Sequence, residues 1–208
     1  MTKRVPDFSQ ERRLIGAGLR WVAGLDEVGR GALAGPVAVA AVILDPDNLP
    51  DGVDDSKALS AKRREAAYAS IMSRARSVAI ATACSREIDA FNIRGATLLA
   101  MRRAVRGLSL RPDHAIIDGR DVPPGLGCPA EALVDGDALS LSVAAASIIA
   151  KVTRDRLMTR LDALHPAYGF ARNAGYGTRA HLAAIRSHGP CPWHRLGFKP
   201  FRQDPEAG

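Results

Sequence analysis

The chain reads WVAGLDEVGRGALAGPVAVAAVIL at residues 21–44, and this stretch decides its fold. It contains two apolar runs of strand length, residues 21–26 and 35–44, and the second run is rich in valine and alanine. Only the short segment EVGRGAL and one alanine separate them. Because two such runs joined by a short connection are typical of a β-hairpin, the stretch predicts two antiparallel strands.

Two adjacent acids, Asp26 and Glu27, stand where the first of these runs ends. Neighbouring residues on a strand point to opposite faces, so two adjacent carboxylates can share one site only where the chain turns. Gly29 and Gly31 supply such a turn, because glycine adopts backbone conformations that other residues avoid. The pattern therefore predicts a pair of acids brought together at a strand end.

The rest of the chain alternates between strand and helix patterns. We predict a helix over 59–75, a strand over 76–84, helices over 85–92 and 93–108, strands over 114–119 and 129–137, and helices over 140–165 and 179–189. This order predicts an α/β fold with a mixed central β-sheet flanked by helices and a helical C-terminal extension.

Composition narrows the class of protein. The 208 residues suit one domain or one domain with an extension, and a hydrophobic content of 47% allows a packed core. No apolar run approaches the roughly 18 residues of a membrane span, and the N-terminus lacks the apolar region of a signal peptide. Three cysteines without CxxC spacing argue against a disulfide framework. We therefore expect a cytoplasmic monomer without a membrane partner.

The charge of the chain indicates a polyanionic partner without proving one. There are 29 basic residues against 22 acidic ones, which gives a net charge of +7. Basic side chains cluster at 62–65, 74–76 and 102–106. Such clusters are equally typical of solvated helix faces and of surfaces that bind nucleic acid.

The glycines after the first strand also suggest a dinucleotide-binding loop, but three features oppose that reading. Gly29, Gly31 and Gly35 are spaced GxGxxxG rather than GxGxxG, and a strand-like run follows where a helix would be needed to hold a pyrophosphate. The neighbouring acids would repel phosphate groups. A segment with His188, Cys191 and His194 likewise lacks the second ligand pair of a zinc site.

Acids at strand ends form the most informative pattern. Four carboxylates share this placement: Asp26, Glu27, Asp118 and Asp137. In open α/β sheets functional sites gather at strand ends, and several converging carboxylates stay ionised only with compensating positive charge. Oxygen ligands alone favour Mg²⁺ or Mn²⁺. Two such ions about 4 Å apart would activate a water and stabilise a leaving phosphodiester oxygen.

The motifs of the chain resemble those of the ribonuclease HII family, whose members have a ribonuclease H-like fold. The resemblance begins at GLDEVGRGALAGPV and covers about residues 20–200. The motifs that follow in the family's order are DDSKALS (54–60), IIDG (116–119), GD (136–137), AAASIIAKVTRD (144–155), YGF and GYGT (within 168–178), and HGP, HR and F (within 188–198). Each motif alone is weak, but their joint order is specific.

The resemblance implies an endonuclease that cuts the RNA strand of RNA–DNA hybrids. It also implies cleavage 5′ of single ribonucleotides embedded in duplex DNA, by two-metal-ion hydrolysis that leaves 3′-hydroxyl and 5′-phosphate ends. The expected cofactors are Mg²⁺ or Mn²⁺, and the expected partners are RNA–DNA hybrids and duplex DNA that contains ribonucleotides. The implied domains are a ribonuclease H-like catalytic domain over residues 1–165 and a substrate-binding helical extension over 166–208.

The resemblance also assigns roles to particular residues. It implies that Asp26, Glu27, Asp118 and Asp137 are the catalytic, metal-binding carboxylates. It implies that substrate is bound by Gly29, Arg30, Gly31, Lys57, Ser147, Lys151 and Tyr176. In this scheme the first three sense the ribose 2′-hydroxyl, the tyrosine stacks on the next deoxyribose, and the others lie near phosphates. Asp155 is interpreted as a structural residue or one that supports the site from behind.

Two other classes of function remain open from the sequence. A non-catalytic protein could bind hybrids with the same fold, although binding alone gains nothing from four repelling carboxylates. A metal-dependent phosphatase or DNA nuclease could use similar acids. The Gly29-Arg30-Gly31 motif together with Tyr176 favours an enzyme that senses ribose.

Overall fold

The computed structural model describes residues 5–54 and 56–201, so Asp55 of the DDSKALS motif lies outside the described residues. The described helices are α1 (Ser9–Gly16), α2 (Ala61–Arg74), α3 (Ser85–Gly107), α4 (Leu141–Leu164), α5 (Phe170–Asn173) and α6 (Arg179–His188). The described strands are β1 (Val22–Val28), β2 (Val37–Ile43), β3 (Ser77–Ala83), β4 (His114–Asp118) and β5 (Ala130–Leu133).

These strands form one mixed sheet in the order β3-β2-β1-β4-β5. The predicted hairpin is confirmed, because β1 and β2 pair antiparallel with Asp26 opposite Ala40. β3 extends this antiparallel part, whereas β4 runs parallel to β1 and β5 runs parallel to β4. The predicted α/β fold with a mixed central sheet is therefore confirmed.

Helices cover both faces of the sheet, and α4 packs most closely. Its buried alanines and isoleucines form one apolar cluster with β2 and α2, while α3 packs on the other face. Gly24 makes the contact between β1 and α4 possible, because a Cβ atom there would lie 2.2 Å from the main-chain carbon of Ser142. The close approach fixes α4 directly behind the strand that carries the two adjacent acids.

Several element boundaries differ from the sequence predictions, and β5 ends at Leu133 rather than at Asp137. β1 continues through Val28, so Glu27 lies within the strand and not in the connection that follows it. The two helices predicted over 85–92 and 93–108 are confirmed, because Asn92, whose φ of 56° lies in the left-handed region, breaks α3 at the predicted boundary. Helix α1 was not predicted at all.

The C-terminal residues pack against the second half of α4. Met158 and Leu161 of that helix form an apolar cluster with Tyr168, Phe170 and Ile185. The division into a catalytic domain over 1–165 and an extension over 166–208 stays a prediction. In the described part of the chain, no helix has the length and apolarity needed to cross a membrane.

Candidate active site

Two of the four predicted acids meet where neighbouring parallel strands stop pairing. The ladder between β1 and β4 ends with Leu25 opposite Ile117. Asp26 and Asp118 are each the next residue after this last pair, so their side chains lie at the same edge of the sheet. The charge of Asp118 acts on both Asp26 and Glu27, which places three of the four acids within electrostatic reach of one another.

Asp26 is the most buried of these acids. Asp26 is only 6% exposed to solvent. Burial, and then the neighbouring charge of Glu27, raise the pKa of Asp26 well above its ordinary value. A hydrogen bond from the Ser147 hydroxyl of α4 opposes this rise. A hydrogen bond of 3.0 Å joins the hydroxyl of Ser147 to that of Ser56.

Glu27 is less buried than Asp26 and has a cationic neighbour. Arg30 Nη1 donates to its Oε1 across 3.1 Å. Burial raises the pKa of Glu27, while the hydrogen bond and charge of Arg30 lower it. The arginine of the predicted ribose-sensing motif therefore also touches one of the predicted metal ligands.

The other two acids are held by the segment that follows β5. Asp118 Oδ1 accepts a hydrogen bond of 2.8 Å from the amide of Gly136. Asp137, the residue after Gly136, lies in a single 3₁₀ turn, Gly136–Ala138. Its Oδ2 is 3.8 Å from Lys57 Nζ. The Lys57 charge also acts on Glu27. The exposed lysine thus faces the acids from the DDSKALS segment.

The four acids carry the type of ligand atom that a divalent cation prefers. All four donors are carboxylates, which suit hard cations such as Mg²⁺ and Mn²⁺, and the desolvated Asp26 lies beside two further negative charges. Among residues 5–54 and 56–201, however, no three acidic, histidine or cysteine side chains are arranged as a ready-made metal cluster.

The glycine loop, residues 29–36, lies next to these acids and beside Tyr176. Gly29 has a φ of +89°, and a Cβ atom at Gly31 would lie 3.9 Å from the Tyr176 ring. The Gly175 carbonyl accepts hydrogen bonds from the amides of Leu33 at 2.7 Å and Ala34 at 3.2 Å. The predicted ribose-sensing glycines and the predicted stacking tyrosine are thus brought together, 145 positions apart in the chain.

One face of α4 supplies side chains behind the acids and the loop. Ser147, Lys151 and Arg154 are spaced at helical intervals and so project from the same face. Lys151 Nζ pairs with Asp155 Oδ1 at 2.8 Å. The role of Asp155 as a structural or supporting residue stays a prediction.

Comparison with known proteins decides the family. The family model described as Ribonuclease HII matches residues 23–201. A ribonuclease HII from Brucella ovis is 59% identical over 198 residues, which cover 95% of this chain and 90% of that protein. A ribonuclease HII from Brucella abortus has the same identity and coverage. The chain belongs to the ribonuclease HII family.

Solved structures agree with this assignment. Ribonuclease H2 from Pyrococcus horikoshii OT3 matches with a TM-score of 0.74 and 25% identity, over 88% of this chain and 95% of that one. The ribonuclease HII of a PCNA complex from Archaeoglobus fulgidus matches with a TM-score of 0.71 and 30% identity, over 89% and 98%. Bst-RNase HIII in complex with Mn²⁺ shares the fold, with a TM-score of 0.69 and 22% identity, over 87% and 68%.

As a member of the ribonuclease HII family, the protein is a ribonuclease H-type endonuclease that acts on RNA–DNA substrates and depends on divalent metal ions. The predicted ribonuclease H-like fold is confirmed by the same structural neighbours.

Three residues of this ribonuclease HII site escaped the sequence reasoning. Ser56 is 3% exposed and reaches Asp26 only through Ser147, although it lies inside a quoted motif. Arg154 and Arg195 are also buried and bind the main chain of the glycine loop. In a chain with many basic residues, the residue type alone does not indicate which arginines are buried. Only the motifs AAASIIAKVTRD and HR, which contain these two arginines, could have indicated them.

Proposed function

We propose that this ribonuclease HII hydrolyses the RNA strand of RNA–DNA hybrids and cuts 5′ of single ribonucleotides embedded in duplex DNA. The products would carry 3′-hydroxyl and 5′-phosphate ends, and the enzyme would act as a monomer. The observation that carries this proposal is the juxtaposition of buried Asp26 with Glu27 and Asp118 beside a glycine loop that contacts Tyr176. Charge for metal binding and a surface for reading a sugar thus share one edge of the sheet.

In this proposal Asp26, Glu27, Asp118 and Asp137 hold two divalent cations, Mg²⁺ or Mn²⁺. Such cations supply activation of a water and stabilisation of the negative charge on the leaving oxygen. The protein contributes the positions of the acids. Ser147 orients Asp26, the Gly136 amide orients Asp118, and Lys57 offsets negative charge near Asp137.

Substrate recognition follows from the groups beside the acids. The 2′-hydroxyl distinguishes RNA from DNA on the sugar, and it both donates and accepts hydrogen bonds. Reading it from the main chain requires close approach, which Gly29 and Gly31 permit on either side of Arg30. The ring of Tyr176, beside Gly31, would rest against the next sugar and favour one without a hydroxyl. Lys57, Ser147 and Lys151 would lie near the phosphates.

The test uses three labelled duplexes of one sequence: all DNA, DNA with one ribonucleotide, and an RNA strand paired with DNA. With Mg²⁺ or Mn²⁺ we expect cleavage of the second and third duplexes only, with the cut 5′ of the single ribonucleotide, and none with EDTA. Cleavage of the all-DNA duplex at a similar rate would instead indicate a DNA nuclease. Tight binding of the hybrid without cleavage would indicate a binding protein.

The ends of the products test the direction of hydrolysis. A 3′-hydroxyl end is extended by a DNA polymerase, whereas a 3′-phosphate end is not. We expect extension of the upstream fragment without prior phosphatase treatment. A requirement for that treatment would refute the proposed chemistry while leaving the ribose preference intact.

A further inference from the structure

Two arginines are fully buried behind the glycine loop. Arg154, from α4, is 1% exposed and Arg195, which follows α6, is 0% exposed. Within the described residues, every hydrogen bond given for their guanidinium groups ends on a main-chain carbonyl oxygen rather than on an acid. Burial of a charge is unfavourable unless fixed polar groups surround it. Two buried guanidinium groups that bind only carbonyls therefore indicate that they hold the main chain in place.

Arg195 binds the loop from its first residue to its seventh. Its Nη2 donates to the Gly29 carbonyl at 2.7 Å, its Nη1 to the Arg30 carbonyl at 2.7 Å, and its Nε to the Gly35 carbonyl at 3.0 Å. The planar guanidinium holds these three acceptors in one fixed fork. The conformation of the glycine loop is thus set by a side chain that lies about 160 residues away in the chain.

Arg154 joins the loop to the segment that carries Tyr176. Its Nη2 donates to the Ala34 carbonyl at 3.1 Å and its Nη1 to the Ala174 carbonyl at 2.8 Å. Its guanidinium carbon also lies 5.7 Å from the centre of the Tyr176 ring. A Cβ atom at Gly29 would come within 2.1 Å of Arg154 Nε, so the loop rests directly on this side chain.

The inward carbonyls determine where the amide groups of the loop point. In a trans peptide the carbonyl of one residue and the N–H of the next point in opposite directions. Because the Gly29 and Arg30 carbonyls turn inward to Arg195, the N–H groups of Arg30 and Gly31 turn outward. Both residues are exposed, so these two donors face the side from which a sugar would approach.

Arginine side chains stay protonated in proteins at neutral pH, although burial lowers the pKa of both guanidinium groups. Desolvation, and then the charge of Arg154, lower the pKa of Arg195 to about 9. Desolvation lowers the pKa of Arg154 as well. All their donors are therefore available under physiological conditions.

We propose that Arg154 and Arg195 are positioning residues for ribose recognition, which hold the glycine loop and the Tyr176 segment as one unit and turn the Arg30 and Gly31 amides towards the substrate. This inference rests on the proposed function, because it assumes that the loop reads the 2′-hydroxyl. It assigns the discrimination between substrates partly to two side chains that never touch them.

The test compares Arg154→Lys and Arg195→Lys with the wild-type enzyme. Lysine retains the buried charge but cannot bind three carbonyls in a fork. We would measure kcat and KM on the single-ribonucleotide duplex and on the RNA–DNA hybrid. The ratio of kcat/KM between the two should fall by at least ~10-fold, since misplacement by about 1 Å already costs up to ~100-fold. The hybrid is less affected because many of its sugars can satisfy a displaced loop.

Two controls separate positioning from general damage. Arg103→Lys alters an arginine that also donates to a carbonyl, that of Thr82, but lies away from the loop; it should leave the ratio unchanged. Mn²⁺ affinity measured without substrate should stay at the wild-type value in all three variants. Equal losses on both substrates, or an unchanged ratio, would overturn the proposal.

A fourth variant carries the test if the variants of Arg154 and Arg195 fail to fold. A Cβ atom at Gly175, whose φ is +79°, would lie 2.3 Å from the Ala34 carbonyl oxygen. Gly175→Ala therefore separates the two segments without altering either arginine, and it should lower the same ratio. An unchanged ratio would contradict the proposal. Equal cleavage of all-DNA and ribonucleotide duplexes by the wild-type enzyme would instead defeat the proposed function itself.

Discussion

At the scale of single residues, the site depends on one buried carboxylate beside two others. Asp26 is desolvated by β1, β2 and α4, and the charges of Glu27 and Asp118 add to the unfavourable energy of its ionised form. The Ser147 hydroxyl and the Glu27 amide, which donates to Asp26 Oδ1 at 2.7 Å, compensate only in part. Without a cation, ionised Asp26 thus lowers the stability of the folded protein.

Asp26→Asn should separate activity from stability. We expect the rate of hybrid cleavage to fall by more than ~100-fold, since even residues that merely support metal ligands are worth ~10–100-fold. The metal-free variant should unfold at an equal or higher temperature, because a neutral amide removes both the desolvation and the like-charge repulsion. Cleavage assays and thermal unfolding in EDTA measure the two effects.

The matched control for this prediction is Asp51→Asn. Asp51 is an exposed aspartate whose Oδ2 is 2.6 Å from Arg74 Nη2 on the surface, and exposed ion pairs contribute little. Its replacement should change neither quantity appreciably. Near-normal turnover of Asp26→Asn would contradict the assigned metal-binding role of Asp26.

At the scale of elements, the unpredicted helix α1 stabilises the start of α4. Glu11 of α1 is 0% exposed. Its Oε1 accepts hydrogen bonds from the Ser140 and Ser142 hydroxyls and, at 2.8 Å, from the Ser142 amide. A carboxylate at a helix N-terminus satisfies free amides and complements the helix dipole. α1 therefore fixes the end of α4 that packs against Gly24 and leads to Ser147.

Glu11→Ala should destabilise the protein by about 3 kcal/mol, since hydrogen bonds to charged groups contribute about 1.5–3 kcal/mol and buried donors would lose their acceptor. Urea unfolding at pH 7 measures this change. Glu65→Ala is the control, because Glu65 is an exposed acid of α2 that pairs with Arg156 on the surface; about 0.5 kcal/mol or less is expected. Equal effects of the two variants would refute the role given to α1.

At the scale of the whole molecule, a chain of hydrogen bonds joins the C-terminal segment to the active site. The Cys191 amide donates to His194 Nδ1 at 2.9 Å, so His194 carries its hydrogen on Nε2 and donates to His181 Nε2 at 3.1 Å. His181 then donates from Nδ1 to the Tyr176 carbonyl at 2.9 Å. This arrangement requires both imidazoles to be neutral.

Acid should weaken this connection. Burial, and then the neighbouring His181, lower the pKa of His194 to about 4, whereas an unfolded histidine titrates near pH 6.5. Between these values the unfolded chain binds more protons than the folded one, so stability is complete above about pH 6.5 and falls as pH drops towards 4. The slope for one proton is about 1.4 kcal/mol per pH unit.

The measurement is the free energy of unfolding from pH 7 to pH 4 for the wild-type protein and His194→Gln. The difference between the two isolates the histidine, because the raised pKa of Asp26 acts in the opposite direction in both proteins. We expect a shallower decline for the variant. Parallel curves would mean that His194 does not titrate differently in the folded state.

Much of the secondary structure of this enzyme could be predicted because strands and helices leave patterns in neighbouring residues. The two apolar runs within residues 21–44 and the short connection between them specified the hairpin. Helix α1 was missed because its stability comes from Glu11 buried against distant serines rather than from its own pattern. Hydrogen bonds to distant residues produce no hydrophobic periodicity within the eight residues of α1.

The sequence by itself determined the family and the mixed sheet and predicted the four acids, since motif order and strand patterning are properties of the chain alone. Only the tertiary structure decided which groups support them. Ser56 behind Ser147, the two arginines beneath the glycine loop and the neutral histidine pair all depend on contacts between segments far apart in the chain. Burial turns an ordinary serine, arginine or histidine into a positioning group, and burial is fixed only when the chain has folded.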